Sequence, residues 1–160
     1  MINYDDSLFL SRGKLIKRIR SIIFLLPAWF APHKSLRVFF HRLRGVRIGK
    51  GVEIGYYCLI GNVHPYNIHI EDYAVITANC VLLDHDNALH YTFGGDVIYG
   101  KIRIGPSAFI GIASVIMPGV KIGEKAIVAP QSFVKYDVPA FTLVAGQPAK
   151  VIKSYEKEVK

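Results

Sequence analysis

Six hexapeptides follow one another without a slip over residues 104–139: IGPSAF, IGIASV, IMPGVK, IGEKAI, VAPQSF and VKYDVP. Each begins with Ile or Val, and the fifth place of each holds Ala, Ser or Val. Neither the helical period nor the two-residue period of a strand gives this spacing. A fixed repeat of about six residues is instead typical of a parallel β-helix, in which short units stack on one another.

The spacing also predicts how each coil is built. One hexapeptide supplies one short strand and one corner, so three of them close a triangular coil of about eighteen residues. The aliphatic residue of each six then points into the prism and stacks on its equivalent in the next coil. Gly105, Gly111 and Gly123 directly follow that residue, at a bend with little room for a Cβ atom.

The repeats resemble those of the hexapeptide-repeat acyltransferases. The motifs that carry the resemblance are IGPSAFIGIASVIMPGVKIG (104–123), VAPQSFVKYDVP (128–139) and AGQPAKVIK (145–153), and with weaker upstream repeats it covers about 48–153. It is strongest to O-acetyltransferases that act on sugars, including those of polysaccharide and glycolipid assembly. The resemblance implies an all-β, left-handed parallel β-helix and a homotrimer that uses acetyl-CoA as its acyl donor.

Length and composition favour one domain with two attachments. The 160 residues are 51% hydrophobic, which is enough for a sizeable core. We expect a basic helical segment at residues 1–45, the β-helix at 46–153, and a C-terminal tail at 154–160 that is either a short helix or frayed. Cys58 and Cys80 are too few for a disulfide framework, so we expect reduced thiols and a cytoplasmic protein.

The N-terminal segment is basic and amphipathic. Between Asp6 and Glu53 there are eleven Lys or Arg residues and no acidic residue. Residues 14–26 have a helical period with aliphatic residues on one face, and Pro27 should end or kink this helix. The apolar run that follows is too short to span a bilayer.

Two interpretations of this segment remain open. In the first, it caps the open end of the prism or packs on a neighbouring subunit, because the ends of stacked-repeat folds need covers. In the second, residues 14–44 lie on an anionic membrane, on its inner face, with Trp29 and Phe30 near the interface. The mixture of basic and helix-period aliphatic residues is unlike a nucleic-acid-binding motif.

The regular coils are interrupted twice. An insertion of four residues precedes Ile70, which places Cys58 and Cys80 one coil apart on the same face. The six-residue phase is lost again at Leu82, and we expect a loop excursion at about 84–101. Loops that leave a regular scaffold often carry function.

The excursion contains the candidate catalytic base. Acyl transfer to a hydroxyl needs a base, and histidine is suited because its pKa lies near neutrality. The family has a catalytic histidine where a loop leaves the prism, and His85 in LLDHD matches that position. The resemblance therefore implies direct attack by the acceptor, with His85 as general base. Either Asp84 or Asp86 is expected to orient its ring.

Further residues are expected around the two substrates. Around the acceptor we expect Asp84, Asn87, His90 and Phe109, with Tyr91 as a further candidate. For acetyl-CoA the resemblance implies Gly111, Ala129 and Pro130 along the thioester and pantetheine, and Lys135, Lys150 and Lys153 near the phosphates or adenine. No metal is expected.

Two positions depart from the family and leave the acceptor open. Phe109 stands where many relatives carry Trp. Tyr56 and Tyr57 stand where sugar acetyltransferases carry an Asn that faces the catalytic histidine from the adjacent subunit. The resemblance implies a sugar-type acceptor that is free, nucleotide-linked or lipid-linked, and transfer to the amine of an amino sugar is an alternative.

Two other classes of function compete with acyl transfer. A zinc enzyme similar to the γ-class carbonic anhydrases would share the prism, and His64, His85 and His90 have roughly suitable spacing for three ligands. Against it, His85 and His90 lie where the repeat phase is lost. The second competitor is a membrane-bound or scaffolding trimer that uses only its surface.

Overall fold

The computed structural model describes residues 12–61 and 63–155. The predicted C-terminal tail therefore lies outside these residues from position 156 onward, as do the first eleven residues of the N-terminal segment. The described helices are α1 (Arg12–Ile23), α2 (Leu25–Phe30), α3 (Lys34–Arg44) and α4 (Ala88–Phe93), with a 3₁₀ turn at Pro65–Asn67. None of these helices is long and apolar enough to cross a membrane.

Most of the strands are only two or three residues long. They are β1 (Arg47–Ile48), β2 (Glu53–Ile54), β3 (Leu59–Ile60), β4 (Ile68–Ile70), β5 (Val75–Ile76), β6 (Val81–Leu82), β7 (His85–Asp86), β8 (Ile98–Tyr99), β9 (Ile102–Ile104), β10 (Phe109–Ile110), β11 (Val115–Ile116), β12 (Lys121–Ile122), β13 (Ile127–Val128), β14 (Phe133–Val134), β15 (Thr142–Gly146) and β16 (Ala149–Ser154).

The strands form the three faces of a prism. Face A contains β1, β4, β9 and β12, face B contains β2, β5, β10, β13, β15 and β16, and face C contains β3, β6, β11 and β14. Pairing within the faces is parallel except between β15 and β16. The fold is the predicted left-handed parallel β-helix, with the helices α1 to α3 at its N-terminal end.

Strand pairing gives the length of each coil. On face A, Arg47 pairs with His69, which pairs in turn with Arg103. Arg103 pairs with Lys121. These steps span 22, 34 and 18 residues, respectively. The last is a plain coil, the first contains the predicted four-residue insertion, and the second contains the predicted excursion.

The core consists of the aliphatic residues that open each hexapeptide. These residues are at most 2% exposed: Ile54, Ile60, Ile70, Ile76, Leu82, Ile104, Ile110, Ile116, Ile122, Val128 and Val134. Each such burial contributes about 2 kcal/mol of hydrophobic free energy. The fifth-place residues are buried beside them, and Cys58 and Cys80 are buried free thiols in adjacent coils, as predicted.

Gly111 shows why glycine occupies the second place of a hexapeptide. A Cβ atom at this position would lie 2.5 Å from the nitrogen of Pro130 and 2.7 Å from the carbonyl carbon of Ala129 in the next coil. Left-handed backbone occurs two residues later, at residues such as Ser107 (φ 53°) and Ala113 (φ 58°). The second place therefore needs glycine because the coils approach closely there, whereas the turn itself accepts other residues.

The helix predicted at 14–26 is divided into α1 and α2. The break lies between Ile23 and Leu25, so Pro27 does not end the first helix but occupies the first turn of the second. A first-turn residue needs no N–H partner, and proline is accommodated there. The aliphatic face of α1 is exposed in the single chain, with Ile16 at 64% and Ile22 at 61%.

Helix α3 caps the open end of the prism through its arginines. Arg37 donates to the carbonyl of Ile54 on face B (2.7 Å), and Arg44 donates to that of Ile60 on face C (3.0 Å). Arg42 donates to the carbonyl that follows β1 on face A (2.6 Å). The first coil has no strand before it to pair these groups, so the three arginines satisfy an edge that would otherwise invite association.

Arg44 also anchors its neighbours in the cap. It is buried and donates to the carbonyl of Ser21 in α1 (3.1 Å) and to Nδ1 of His41 (3.1 Å). Burial, followed by the charge of Arg44, lowers the pKa of His41 to about 3, so the imidazole is neutral and can accept this bond. Burial lowers the pKa of Arg44 itself to about 10, which leaves the guanidinium charged.

Trp29 belongs to the same cap. Its indole N–H donates to the carbonyl of Cys58 (2.8 Å), so the ring is held against the first coil rather than free for a membrane interface. Phe30 is 57% exposed and packs edge-on against Tyr57. The capping interpretation is therefore confirmed for α2 and α3, whereas no part of the chain within residues 12–61 and 63–155 covers the exposed face of α1.

The C-terminal end of the prism is closed by a hairpin. The hairpin consists of the two antiparallel strands β15 and β16. Gly146 adopts a left-handed φ of 102° and Pro148 follows it, and this turn reverses the chain.

Candidate active site

The excursion leaves the prism at the edge between faces C and A. It begins after β6 and ends before β9, and the N–H of Gly100 donates to the carbonyl of Asp84 (3.2 Å) to close its base. It is not the unpatterned loop that the lost repeat phase suggested. The strands β7 and β8 pair at its base and α4 forms its tip, with Gly94 in a left-handed conformation at the C-terminus of α4.

Asp84 is the buried centre of the site, with no exposed surface. Its Oδ1 lies 3.0 Å from Nδ1 of His85. Its Oδ2 accepts from the backbone N–H of Val63 (3.2 Å) and from that of His64. A wholly buried carboxylate cannot contact an acceptor, so the predicted role of Asp84 in acceptor binding is corrected to one of positioning the histidine.

His85 presents its second ring nitrogen away from the carboxylate. The side chain is 18% exposed, and Nε2 has no hydrogen-bond partner within residues 12–61 and 63–155. A carboxylate on Nδ1 favours the tautomer in which Nδ1 carries the proton and Nε2 carries the lone pair. This arrangement leaves Nε2 of His85 available to accept a proton.

His64 was missed as part of this site and considered only as a zinc ligand. Its Nδ1 lies 3.5 Å from Oδ2 of Asp84, and its ring contacts those of Tyr66 and Tyr99. Burial lowers the pKa of His64, the charge of Asp84 opposes this, and the neighbouring His85 and Arg18 lower the pKa further. A sequence signal existed, since the four-residue insertion and the excursion both follow a face C strand and so leave the prism at one edge.

The other polar residues of the excursion have separate roles. Asp86 accepts from the N–H of Ala88 (2.9 Å) in the turn before α4, so Asp84 is the carboxylate that contacts the ring of His85. Asn87 is half-buried just before α4. His90 is bound to the carbonyl of Gly95 (2.9 Å), across the end of α4, and does not contact His85.

Phe109 does not lie beside His85 in the single chain. It points outward from β10 on face B and is 40% exposed. In a triangular prism, face B is opposite the edge between faces C and A, where His85 lies. Only another subunit could bring a residue such as Phe109 against His85.

The predicted acetyl-CoA residues fall into three places. Gly111 stacks directly on Ala129 and Pro130 at the edge between faces B and C. Lys135 follows β14, on the same edge as His85 but two coils further along, which corresponds to about 10 Å. Lys150 and Lys153 are exposed on β16 at the end of face B.

The departure at Tyr56 and Tyr57 has a structural counterpart. The hydroxyl of Tyr56 donates to the carbonyl of Pro32 (2.9 Å), and the guanidinium of Arg37 lies 4.0 Å from the centre of its ring. These tyrosines therefore hold the N-terminal cap to the first coil.

The zinc alternative gains no support from the geometry. His64 and His85 both approach Asp84, but His90 is held elsewhere by Gly95. Within the part of the chain that the structure describes, no three His, Cys, Asp or Glu side chains are placed to hold a metal ion.

Comparisons with known proteins find relatives of this repeat sequence. The family described as bacterial transferase hexapeptide (six repeats) matches residues 101–135. Protein CapG of Staphylococcus aureus is 37% identical over 66% of this chain and 67% of its own length. Galactoside O-acetyltransferase of Escherichia coli strain K12 is 30% identical over 79% of this chain, which spans 60% of that enzyme.

A solved structure extends the likeness to nearly the whole chain. A hexapeptide-repeat acetyltransferase of Vibrio cholerae, crystallised with acetyl coenzyme A, superposes with a TM-score of 0.67. The match covers 91% of this chain and 90% of that chain at 23% sequence identity, which shows a shared fold.

Proposed function

Because the chain belongs to the hexapeptide-repeat transferases, we propose that it moves an acetyl group from acetyl-CoA to a hydroxyl of a sugar-type acceptor, with His85 as general base. The observation that carries this proposal is the pairing of His85 with the buried Asp84 at the edge where the excursion leaves the prism. The likeness to galactoside O-acetyltransferase supports a sugar hydroxyl as the acceptor.

The chemistry follows from the two ring nitrogens of His85. The acceptor oxygen attacks the thioester carbonyl carbon while Nε2 takes its proton, which gives a tetrahedral intermediate. The C–S bond then breaks, and the same proton passes from Nε2 to the departing thiolate. The carboxylate of Asp84 at Nδ1 stabilises the imidazolium that forms between the two steps. No covalent acyl-enzyme is needed.

The outward residues of the three faces support a trimer. Face B presents Val75, Phe109, Ile127 and Leu143, and face C presents Leu59, Val81, Val115 and Phe133. Face A presents basic residues instead. Two apolar faces and one basic face fit a prism that buries B and C against neighbours and turns A to solvent. Such packing would also bring Phe109 of one subunit toward His85 of another.

The exposed face of α1 supports a peripheral membrane contact as a further part of the proposal. The segment 14–44 is basic and free of acidic residues, which suits an anionic lipid surface. The double substitution Ile16→Ser with Ile22→Ser should reduce co-sedimentation of the protein with anionic vesicles and leave the mass of the oligomer unchanged. A change in oligomer mass with unaltered vesicle binding would instead make α1 a subunit contact.

The test of the proposed function separates binding from chemistry. His85→Ala should bind acetyl-CoA in calorimetry as the wild type does, yet release no thiol with any hexose or amino-sugar acceptor. His33→Ala is the matched control, since His33 only caps the N-terminus of α3, and it should release thiol at the wild-type rate. Thiol release by His85→Ala at the wild-type rate would refute the role of His85.

The panel of acceptors also decides between oxygen and nitrogen. Mass spectrometry of the product made from an amino sugar shows whether the acetyl group survives mild base, which cleaves an ester and leaves an amide. An amide product would replace the O-transfer proposal with its N-transfer alternative.

A further inference from the structure

Face A presents a ladder of basic residues to solvent. Arg47, His69, Arg103 and Lys121 are direct neighbours in register, one on each coil, and all four are exposed. Neighbouring strands lie about 4.8 Å apart, so this basic ladder extends over about 14 Å. The equivalent positions on faces B and C carry mostly aliphatic and aromatic side chains.

The basic ladder is poorly neutralised. Arg103 pairs with Glu71 (2.7 Å), but neither Arg47 nor Lys121 has a carboxylate partner for its side chain among the residues described here. Lys101 adds a further exposed cation beside them. Like charges on directly opposed positions destabilise a sheet, so a stack of this kind gains when an anion lies across it.

The basic ladder lines a cavity, and one residue of its wall contacts the histidine beside the catalytic pair. The cavity has a volume of about 440 Å³, and Tyr66, Asn67 and Lys101 complete its walls. The ring of Tyr66 lies 5.4 Å from that of His64, which contacts Tyr99, and Tyr99 lies 6.2 Å from the ring of His85. The anionic part of a bound molecule could therefore lie on face A while another part reaches His85.

From this arrangement we propose that the basic ladder holds the phosphate or diphosphate of the acceptor, so that the acceptor is a sugar joined through phosphate to a carrier. This inference rests on the proposed acetyl transfer and narrows its acceptor. Cations arranged at intervals along a groove suit the oxygens of a diphosphate. The sugar would extend past Tyr66 and place a hydroxyl at Nε2 of His85.

The phosphates of acetyl-CoA are a less suitable occupant. None of the residues expected along the cofactor lines the cavity: Gly111, Ala129 and Pro130 lie at the edge between faces B and C, Lys150 and Lys153 at the end of face B, and Lys135 at the edge between faces C and A, two coils beyond His85. The basic ladder lies on face A. Phosphate groups of the acceptor would bind the ladder while acetyl-CoA stays at the positions expected for it.

The test compares two acceptors and two variants. The acceptors are a free hexose and the same hexose as a nucleoside diphosphate, with a polyprenyl diphosphate hexose in micelles as a third arm that identifies the carrier. The variants are the double substitution Arg47→Gln with Lys121→Gln, and the control Lys125→Gln, an exposed lysine in a corner outside the cavity. Inorganic pyrophosphate serves as a direct calorimetric probe of the ladder.

The double variant should bind pyrophosphate at least tenfold more weakly and lose at least tenfold in kcat/KM with the diphosphate acceptors. Its kcat/KM with the free hexose, and all values of the control, should stay within about twofold. Pyrophosphate binding should weaken at high salt. Equal losses on the neutral and the diphosphate acceptors, or a tenfold rise in the Kd of acetyl-CoA alone, would overturn the assignment.

The pyrophosphate measurement keeps the two proposals distinguishable. Absence of thiol release with every acceptor would refute the acetyl transfer, whereas the ladder would still be supported by pyrophosphate binding that the double variant loses. Thiol release from the free hexose with no binding of pyrophosphate would refute the ladder and leave the acetyl transfer standing.

Discussion

Replacing Asp84 by asparagine tests the catalytic pair most directly. The carboxylate accepts at both oxygens, from the ring of His85 on one side and from the backbone N–H groups of Val63 and His64 on the other. An amide has one oxygen and one NH₂ group, so it cannot accept on both sides. One of the two sides must then face a donor.

The number of donors decides which side the amide oxygen takes. Two buried N–H groups left without acceptors would cost about 1–3 kcal/mol each, whereas only one ring nitrogen lies on the other side. The oxygen should therefore turn to the backbone, and the NH₂ group should donate to Nδ1 of His85. This fixes the wrong tautomer, because Nε2 then carries the proton and cannot act as a base.

Loss of a general base lowers rates by about 10²–10⁴. We therefore expect Asp84→Asn to reduce kcat in the thiol-release assay by about 10³, with the Kd of acetyl-CoA unchanged within about twofold. Asp86→Asn is the matched control, since Asp86 accepts from the N–H of Ala88 in the turn before α4, and its kcat should stay within about threefold. The reasoning is refuted if Asp84→Asn keeps nearly full kcat, or if both variants lose activity equally.

Three further predictions concern stability, followed by urea or thermal unfolding at one protein concentration. Gly111→Ala should lower the free energy of unfolding by about 2–3 kcal/mol, because its methyl group would overlap the backbone of the next coil. Gly95→Ala, whose methyl group would make only ordinary contacts, should change the free energy of unfolding by less than about 0.5 kcal/mol. Equal effects of the two substitutions would contradict the packing argument. Arg44→Met should lower the free energy of unfolding by about 3–5 kcal/mol, because three carbonyls lose a buried donor. Arg42→Met, at an exposed arginine, should lower it by about 1 kcal/mol. A smaller loss at Arg44 than at Arg42 would count against the capping role of Arg44. Folding lowers the pKa of His41 from 6.5 to about 3, so the unfolded chain takes up the proton first as the pH falls. The contribution of His41 to the free energy of unfolding is therefore complete above about pH 6.5 and falls by about 1.4 kcal/mol per pH unit toward about pH 4. The stability of His41→Asn should depend less steeply on pH, and an unchanged slope would show that His41 does not cause the pH dependence.

The hexapeptide period was sufficient to predict the prism, and the interruptions of the period were sufficient to predict where the coils depart from eighteen residues. The insertion before Ile70 and the loss of phase at Leu82 appear in the structure as the long steps between paired strands. The period could not predict the secondary structure within the excursion. The strand pair and the helix α4 depend on contacts such as that of Asp86 with Ala88, which have no counterpart in the repeat.

Of the candidate site, the sequence predicted His85 but not the residues that contact it. His85 could be selected from its place in the sequence, but Asp84 and Asp86 flank it symmetrically and both interpretations remained open. Burial separates them, since Asp84 has no exposed surface while Asp86 accepts from the N–H of Ala88 in the turn before α4. His64 is twenty-one residues from His85, and only the stacking of adjacent coils brings it to the same carboxylate.

The sequence by itself determined the period, and the period determines which side chains point inward, because six residues make one strand and one corner regardless of their neighbours. It also determined that the N-terminal segment is basic. Only the tertiary structure decided what that charge does: Arg37, Arg42 and Arg44 donate to carbonyls of the first coil and cap it, while Arg47 turns outward along face A. The physical reason is that an arginine is directed by the carbonyls within its reach, and these become neighbours only when the coils have stacked.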